Sequence, residues 1–598
     1  MTPRRRLLRW GSWFALANTV LLAVVGIRYL WYFSALGPSI AWLYALVAYI
    51  GHLALLAYLP FLLLLAPTII LIPRSALILP FGVILASTVL SVLVLDTLVF
   101  AENRYHLSLL TASLLAPQTW AFFALYFIVG LALEAMLARW VWLRTATPPT
   151  HRVGRYLSLG LVTCILASHV VHSWAHARYY VPVTAFTRYL PLYFPLKDRA
   201  LVKLGLVQRT SEDQSALLSA LGRPPDGELD YPRAPLRCEP PLPRLNVVLV
   251  VIDAMRVDTL RHDITPRLST FAVRAGRFDA HYSGGNSSRS GMFSLFYGLP
   301  PTYWNAFADI ARPPVLMDLF QRYEYQLGVF TSSPVFRAAV GLDRTALARV
   351  PNLRRLTGSP YPGSSGRDRS LTDEWFGWLE HRDPSRPFFG FLYYNAAVAL
   401  QPPDDYHPAI PAPPASSAQA RDFTRYLTAL HYIDSLVGRV LDDLERRQLL
   451  HRSVVVVTSD HGMEFDENGL GFRGHGTAFS EPQMHTPLLI HWPGRPPERV
   501  ARRTSHYDLA PTLVTGVFGC TNAPADYSSG HTLFSGAHWD WLIAASYADF
   551  ALLQPDQVTI VHPTGYEIRD RTYRLVAHPT IPHHALRAAL GEMSRFYR

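Results

Sequence analysis

The chain has 598 residues, 50% of them hydrophobic and 17% charged, with a formal net charge of +11 at pH 7 carried mostly by arginine. That length exceeds one compact domain, and near residue 175 the composition shifts from long apolar runs to a mixed, proline-punctuated sequence. In a chain with a membrane half, the basic balance reads as topology and contact with anionic lipid rather than as nucleic-acid binding.

Five segments are long and apolar enough to cross about 30 Å of hydrocarbon, which takes about 20 helical residues. They run near Trp13–Phe33, Ala41–Pro67, Leu77–Phe100, Trp120–Val141 and Tyr156–Trp174. A cleaved signal peptide accounts for the first alone, not for five in succession. Arg4, Arg5, Arg6 and Arg9 precede the first span, Arg74 follows the second, and Arg139, Arg144, Arg152 and Arg155 lie at or between the ends of the fourth and fifth. The loops on the other side carry Arg104 against Glu102. Positive charge marks the cytoplasmic side, so the expectation is a cytoplasmic N-terminus and a chain that lies outside after Trp174, which in a two-membrane bacterium is the periplasm. Arg28, His52, Asp96, Glu134 and His169 fall inside spans or at their ends. Such groups are candidates for function, with snorkelling or structural pairing as the alternative.

Beyond the fifth span, His176–Pro241 interleaves aromatic and basic residues, among them Arg188, Lys197, Arg199 and Lys203. That mixture suits a segment lying on the membrane surface against acidic head groups, and those four residues are the lipid-binding candidates. The stretch Gly222–Pro243, rich in proline and charge, reads as a tether. The expected division is therefore a five-helix transmembrane domain over 1–175, an interfacial segment and linker over 176–243, and an α/β domain over 244–598. Cys164 lies in an apolar run, and no CxxC spacing or disulfide framework is present. Cys238 and Cys520 read as two unpaired thiols, a bridge in an oxidising compartment being the alternative.

Leu245–Ile252 is a nearly continuous apolar, β-branched run, the pattern of a strand buried on both faces of a parallel sheet. It ends in Asp253. A second such run, Ser453–Val457, ends in Thr458-Ser459-Asp460-His461-Gly462. Open α/β sheets bind ligands beyond the carboxyl ends of their strands, so two strands delivering acidic groups there signal a site. Between them, Gly284-Gly285-Asn286-Ser287-Ser288-Arg289 reads as a loop entering a helix, where a hydroxyl meets an anion or simply caps the helix.

This order of motifs resembles the alkaline phosphatase superfamily in its membrane-anchored, sulfatase-like branch. Further stretches make the resemblance finer: Gly11-Ser12-Trp13-Phe14-Ala15-Leu16-Ala17-Asn18, Ala167–Val171, Phe296-Tyr297-Gly298-Leu299-Pro300-Pro301-Thr302-Tyr303, His491-Trp492-Pro493-Gly494 and His506-Tyr507-Asp508-Leu509-Ala510-Pro511-Thr512. Together they resemble the YejM/PbgA group of inner-membrane sulfatase-like proteins. The resemblance implies five membrane helices and a periplasmic alkaline phosphatase/sulfatase-like domain, with a mixed, mostly parallel sheet covered by helices. It implies a role in lipopolysaccharide and outer-membrane lipid homeostasis, with lipid A or cardiolipin bound and lipid A synthesis regulated through a LapB-like membrane adaptor.

Carried over by position, the resemblance makes Asp253, Ser287, Asp460 and His461 a set for one divalent metal, of a donor type that suits Mg or Mn and accommodates Zn. Ser287 is the implied nucleophile, His475 the implied phosphate contact, and Arg289 either a phosphate clamp or a surface arginine. Two departures stand out. Ser287-Ser288-Arg289-Ser290-Gly291 lacks the Cys/Ser-x-Pro/Ala-x-Arg pattern of formylglycine sulfatases, which argues against sulfate-ester hydrolysis. The strand Phe388–Tyr394 is followed by Asn395-Ala396-Ala397-Val398, without the histidine common in related hydrolases, and losing an imidazole there lowers the expected rate. The implied activities are thus lipid sensing and, alternatively, metal-dependent phosphatase or phosphotransferase chemistry.

Overall fold

In a computed structural model of the chain, the described residues are 2–31, 33, 39–103, 106–107, 117–146, 153–177, 183, 185–196, 228–333, 335–336, 340–351, 353, 356–411, 413, 417–547, 549–562, 565–576, 579 and 582–598. The lipid candidates Lys197, Arg199 and Lys203, and the side chain of Arg188, lie outside them. The chain divides into two compact units. One is Met1–Gly222 with Val561–Asp570 and Arg574–Ile581; the other is Arg223–Ile560 with Arg571–Tyr573 and Pro582–Arg598.

Among the described residues, the first unit contains five helices long and apolar enough to span a membrane: Pro3–Trp31, Ala41–Leu71, Ser75–Ala101, Trp120–Arg144 and Val153–Ala175. Small residues let them approach closely. A Cβ at Gly51 would stand 2.9 Å from the backbone nitrogen of Ile165, so the second and fifth spans meet backbone to backbone. Four of the ionisable residues singled out in the sequence have structural partners. Asn18 donates to Glu134 (3.1 Å), and Asp96 accepts from the Tyr29 hydroxyl (2.5 Å) and the Leu107 amide (2.6 Å). His52 Nε2 donates to the Pro191 carbonyl (2.6 Å), and His169 Nδ1 accepts from the Leu196 amide (3.1 Å). The two histidines thus tie the Pro191–Leu196 stretch to the second and fifth spans.

The second unit is built on a seven-stranded sheet. Its strands come from β1 (Asn246–Ile252), β2 (Gly276–Tyr282), β3 (Gln326–Thr331), β4 (Phe388–Tyr394), β5 (Ser453–Thr458), and, after the short ribbon β6 (Glu464–Phe465) and β7 (Arg473–Gly474), from β8 (Leu488–His491) and β9 (Arg499–Ser505). The order is β3-β4-β1-β5-β8-β2-β9. β1 pairs parallel with β4 and β5, β3 with β4, and β2 with β9, while β8 is antiparallel to both neighbours. The continuous apolar run of β1 has its reason here. Val247, Leu249 and Val251 enter one core and Val248, Val250 and Ile252 the other, so neither face meets water. A further hairpin, β10 (Leu542–Ala545) with β11 (Phe550–Leu553), pairs antiparallel.

Two expectations are corrected. The stretch read as a tether is fastened to the second unit from Glu228 on: the Asp230 amide donates to the Phe596 carbonyl (2.8 Å), the Arg233 amide to the Asp526 carbonyl (2.9 Å), and Tyr231 is buried in the core. Cys238 and Cys520 are joined in a disulfide. The Thr521 amide donates to the Arg237 carbonyl (3.0 Å), which holds the two segments side by side and brings together cysteines 282 residues apart in sequence.

Candidate active site

β1 and β5 are adjacent and parallel, so their carboxyl ends deliver Asp253 and the Ser459-Asp460-His461 turn to one place. Backbone and side chain then fix each group. Ala254 adopts a left-handed conformation (φ 62°), which turns its amide toward Asp460 Oδ1 (3.3 Å). The same oxygen accepts from the His461 amide (3.0 Å), while Asp460 Oδ2 accepts from the Tyr393 hydroxyl (2.7 Å). His461 Nδ1 lies 2.9 Å from the Gly462 carbonyl, which can only accept. Nδ1 therefore carries the proton and Nε2 presents a lone pair. That nitrogen stands 3.5 Å from Asp253 Oδ1 and 3.5 Å from Asp460 Oδ2.

The serine loop reaches the same point from the side. Ser283 donates to the Asp460 carbonyl (2.6 Å), Asn286 donates to Ala478 O (2.8 Å), and the helix Ser288–Tyr297 begins beyond them. Ser287 occupies the N-cap position with extended backbone, yet its side chain makes no cap bond and its buried Oγ lacks a hydrogen-bond partner. An N-cap serine that does not cap leaves its hydroxyl to something else. Ser288 Oγ lies 3.2 Å from His461 Nε2.

The donor set fits a divalent cation. Asp253, Asp460 and His461 each offer a ligand atom, and all these atoms lie within 4.8 Å of one another. Asp253 Oδ1 is buried without a partner, and burial together with the neighbouring Asp460 holds the Asp253 carboxyl well above its usual range. A cation held by Asp253, Asp460, His461 and the Ser287 hydroxyl would offset the charge of the buried carboxylate pair, polarise a phosphoryl oxygen and acidify that hydroxyl.

His475 stacks on His461, ring centroids 4.6 Å apart, on the turn after β7. Burial and the second imidazole push it down to about 3, so it is a neutral ring able to meet an anion as a hydrogen-bond donor. Arg289 is not a surface residue: it is buried, with its guanidinium 3.9 Å from the Trp304 ring centroid and burial lowering it to about 10. Sequence reasoning missed Tyr393 and Ser288, which touch Asp460 and His461 directly. In the turn after β4, the amides of Asn395 and Ala396 donate to Asp368 (2.9 Å each), which pins that turn.

Residues 2–238 match a family described as a domain of unknown function (DUF3413), and residues 245–517 match the family described as Sulfatase. The inner membrane protein YejM of Salmonella typhimurium is 27% identical over 578 residues, covering 94% of this chain and 92% of that protein. A protein of Haemophilus influenzae is 26% identical over 582 residues, covering 95% and 92%. Along nearly its whole length the chain is similar to YejM-type, sulfatase-like membrane proteins. Among solved structures, a protein of the alkaline phosphatase superfamily from Vibrio parahaemolyticus aligns with a TM-score of 0.46 at 16% identity, over 65% of this chain and 98% of that one.

Proposed function

We propose that this protein acts in lipopolysaccharide and outer-membrane lipid homeostasis, with its sulfatase-like unit facing the periplasm. In this reading it binds lipid A or cardiolipin and regulates lipid A synthesis through a LapB-like membrane adaptor. The observation that carries it is the relationship to YejM over 94% of the chain, membrane spans included. Orientation is supported by the arginines flanking the spans and by the Cys238–Cys520 disulfide, since such bonds persist in oxidising compartments. Arg188, Lys197, Arg199 and Lys203 are the proposed contacts for acidic head groups. Depleting the protein and measuring lipopolysaccharide together with the abundance of the first committed lipid A enzyme tests the reading. A change in both is expected; constancy of both defeats it.

A second reading is favoured by one observation, the uncapped Ser287 hydroxyl beside Asp253, Asp460 and His461. Here the unit is a metal-dependent phosphatase or phosphotransferase acting on a lipid or head-group phosphate. Ser287 Oγ attacks phosphorus as the ester P–O bond breaks, its proton passing to the alcohol that leaves, and it carries the phosphoryl group until water or an alcohol accepts it, while neutral His475 and cationic Arg289 orient the phosphate. Full-length protein assayed with manganese and a phosphomonoester should turn over, and Ser287→Ala should not. Equal turnover by both sinks the assignment.

A further inference from the structure

The serine site is closed. Asp460, His461 and Ser287 are each 0% exposed, and Asp253 is buried beside them. A phosphoester reaches Ser287 Oγ only if a covering group moves, and one cover comes from outside the sulfatase-matched stretch 245–517.

That cover is set down by the end of β10. The Ala545 amide donates to the Gly284 carbonyl (3.0 Å), and the Asn286 amide donates to the Ala545 carbonyl (3.4 Å). Glycine at 285 permits the approach, because a Cβ there would stand 2.5 Å from the Ala545 carbonyl oxygen. One residue on, Ser290 Oγ reaches the Ser546 carbonyl at 3.5 Å. The next residue, Tyr547, thereby comes near Ser287 and Arg289, where the Ser288–Tyr297 helix begins. Its hydroxyl approaches Ser287 without full hydrogen-bond geometry, and the Arg289 guanidinium lies 5.7 Å from its ring centroid. On the far side, a Cβ built on Gly476, the neighbour of His475, would stand 3.4 Å from the ring edge. Tyr547 itself is half-buried.

We infer that Tyr547 is the access- and specificity-determining residue of this site: its ring covers Ser287, and an ester must displace it to enter. The inference rests on Ser287 belonging to the site, not on turnover. A slender phosphomonoester displaces one ring edge, whereas a bulky diester must swing the whole side chain out, so Tyr547 disfavours the latter. Arg289 and Trp304 remain as a cationic and aromatic wall once the ring has moved.

The test reads access without chemistry. Full-length protein in detergent carries Ser287→Cys together with Cys164→Ser, Cys238 and Cys520 staying in their disulfide, so residue 287 bears the one reactive thiol. Its labelling rate with a small methanethiosulfonate reagent is compared with Tyr547 intact, Tyr547→Ala and Tyr547→Phe, each shown to be folded by its unfolding curve. Tyr547→Ala should label at least about tenfold faster, because the rate scales with the fraction of molecules open. Tyr547→Phe should label like the intact side chain, since it keeps the ring. Equal rates for Tyr and Ala overturn the inference, and so does a Phe variant as fast as the Ala one. Faster labelling in Tyr547→Ala with no phosphoester turnover in the native-serine protein leaves the access role standing and removes only the enzymatic reading.

Discussion

Gly291→Ala tests whether the serine helix and the Ser459-Asp460-His461 turn are one assembly. Gly291 lies one turn into the helix after Ser287, its amide donating to the Ser287 carbonyl (2.8 Å). A Cβ built there would stand 2.0 Å from the Asp460 carbonyl oxygen and 2.7 Å from its carbon. Ordinary contact begins at 3.4 Å, so the two backbones must part by roughly 1.4 Å. Neither yields easily, because Ser283 holds the Asp460 carbonyl and the Ala254 and His461 amides hold its carboxylate. Overpacking of this kind costs about 1–3 kcal/mol, and backbone on both sides puts this case at the upper end. The displacement also exceeds the roughly 0.5 Å within which a working constellation must be held. Thermal unfolding of the full-length protein in detergent, with and without manganese, reads both effects. The metal-free midpoint should fall by several degrees, and the manganese-dependent rise should vanish. Gly377→Ala, in the helix Gly363–His381 with nothing within 4 Å of the new methyl, is the control and should be neutral or mildly stabilising. A Gly291→Ala protein with the native midpoint and the native manganese response would refute the close approach.

Three further outcomes follow from buried groups. Burial raises the Glu464 carboxyl to about 7, against the bonds it accepts from Ser480 (2.6 Å) and Gln483 (2.9 Å). A raised folded-state value means its contribution to stability is complete below about 4.5 and lost as pH rises through about 7, roughly 3 kcal/mol in all. Glu464→Gln should flatten unfolding midpoints between pH 5 and 8, and a slope like the native one would contradict this. Asp368→Ala strands the buried amides of Asn395 and Ala396 and should cost about 3 kcal/mol in urea unfolding; a loss under about 1 kcal/mol would show that the turn is not pinned this way. Cys238→Ser should lower stability by about 2–4 kcal/mol and abolish the response of the midpoint to reductant, whereas a variant still sensitive to reductant would contradict the bridge.

What could be read in the sequence was what is local. β1 and β5 show as apolar runs because each is buried on both faces, and their terminal acids show because they follow directly in the chain. The five spans are legible for the same reason, each being one uninterrupted segment. Tyr393 was hidden because it ends a strand whose pattern is simply apolar and aromatic. Only its register opposite Val251, two residues before Asp253, aims its hydroxyl at Asp460. Ser288 looked like the second residue of a cap, and nothing local shows that His461 lies 3.2 Å away. Tyr547 and the Cys238–Cys520 pair depend on strands and loops meeting across 260 and 282 residues of sequence, a separation that carries no periodic signal.

The two functional readings make opposite demands on Asp253. A unit serving only as a scaffold gains nothing from two carboxylates side by side in a dry interior. Removing one charge there should relieve repulsion and desolvation, as replacing buried charges often does. The geometry shows where the relief would come from: Asp253 Oδ1 has no partner, Asp460 adjoins it, and the amide of an asparagine could donate to that neighbour. Asp253→Asn should therefore raise the metal-free unfolding midpoint. If the carboxylates instead exist to hold a cation, the same change removes a charged ligand and the manganese-dependent stabilisation collapses. The metal-binding reading thus requires the variant to be more stable than the native protein without manganese and less stable with it. A variant more stable under both conditions means that the four donors, however well placed, do not work as a metal site, and the weight then falls on the membrane unit and its lipid contacts.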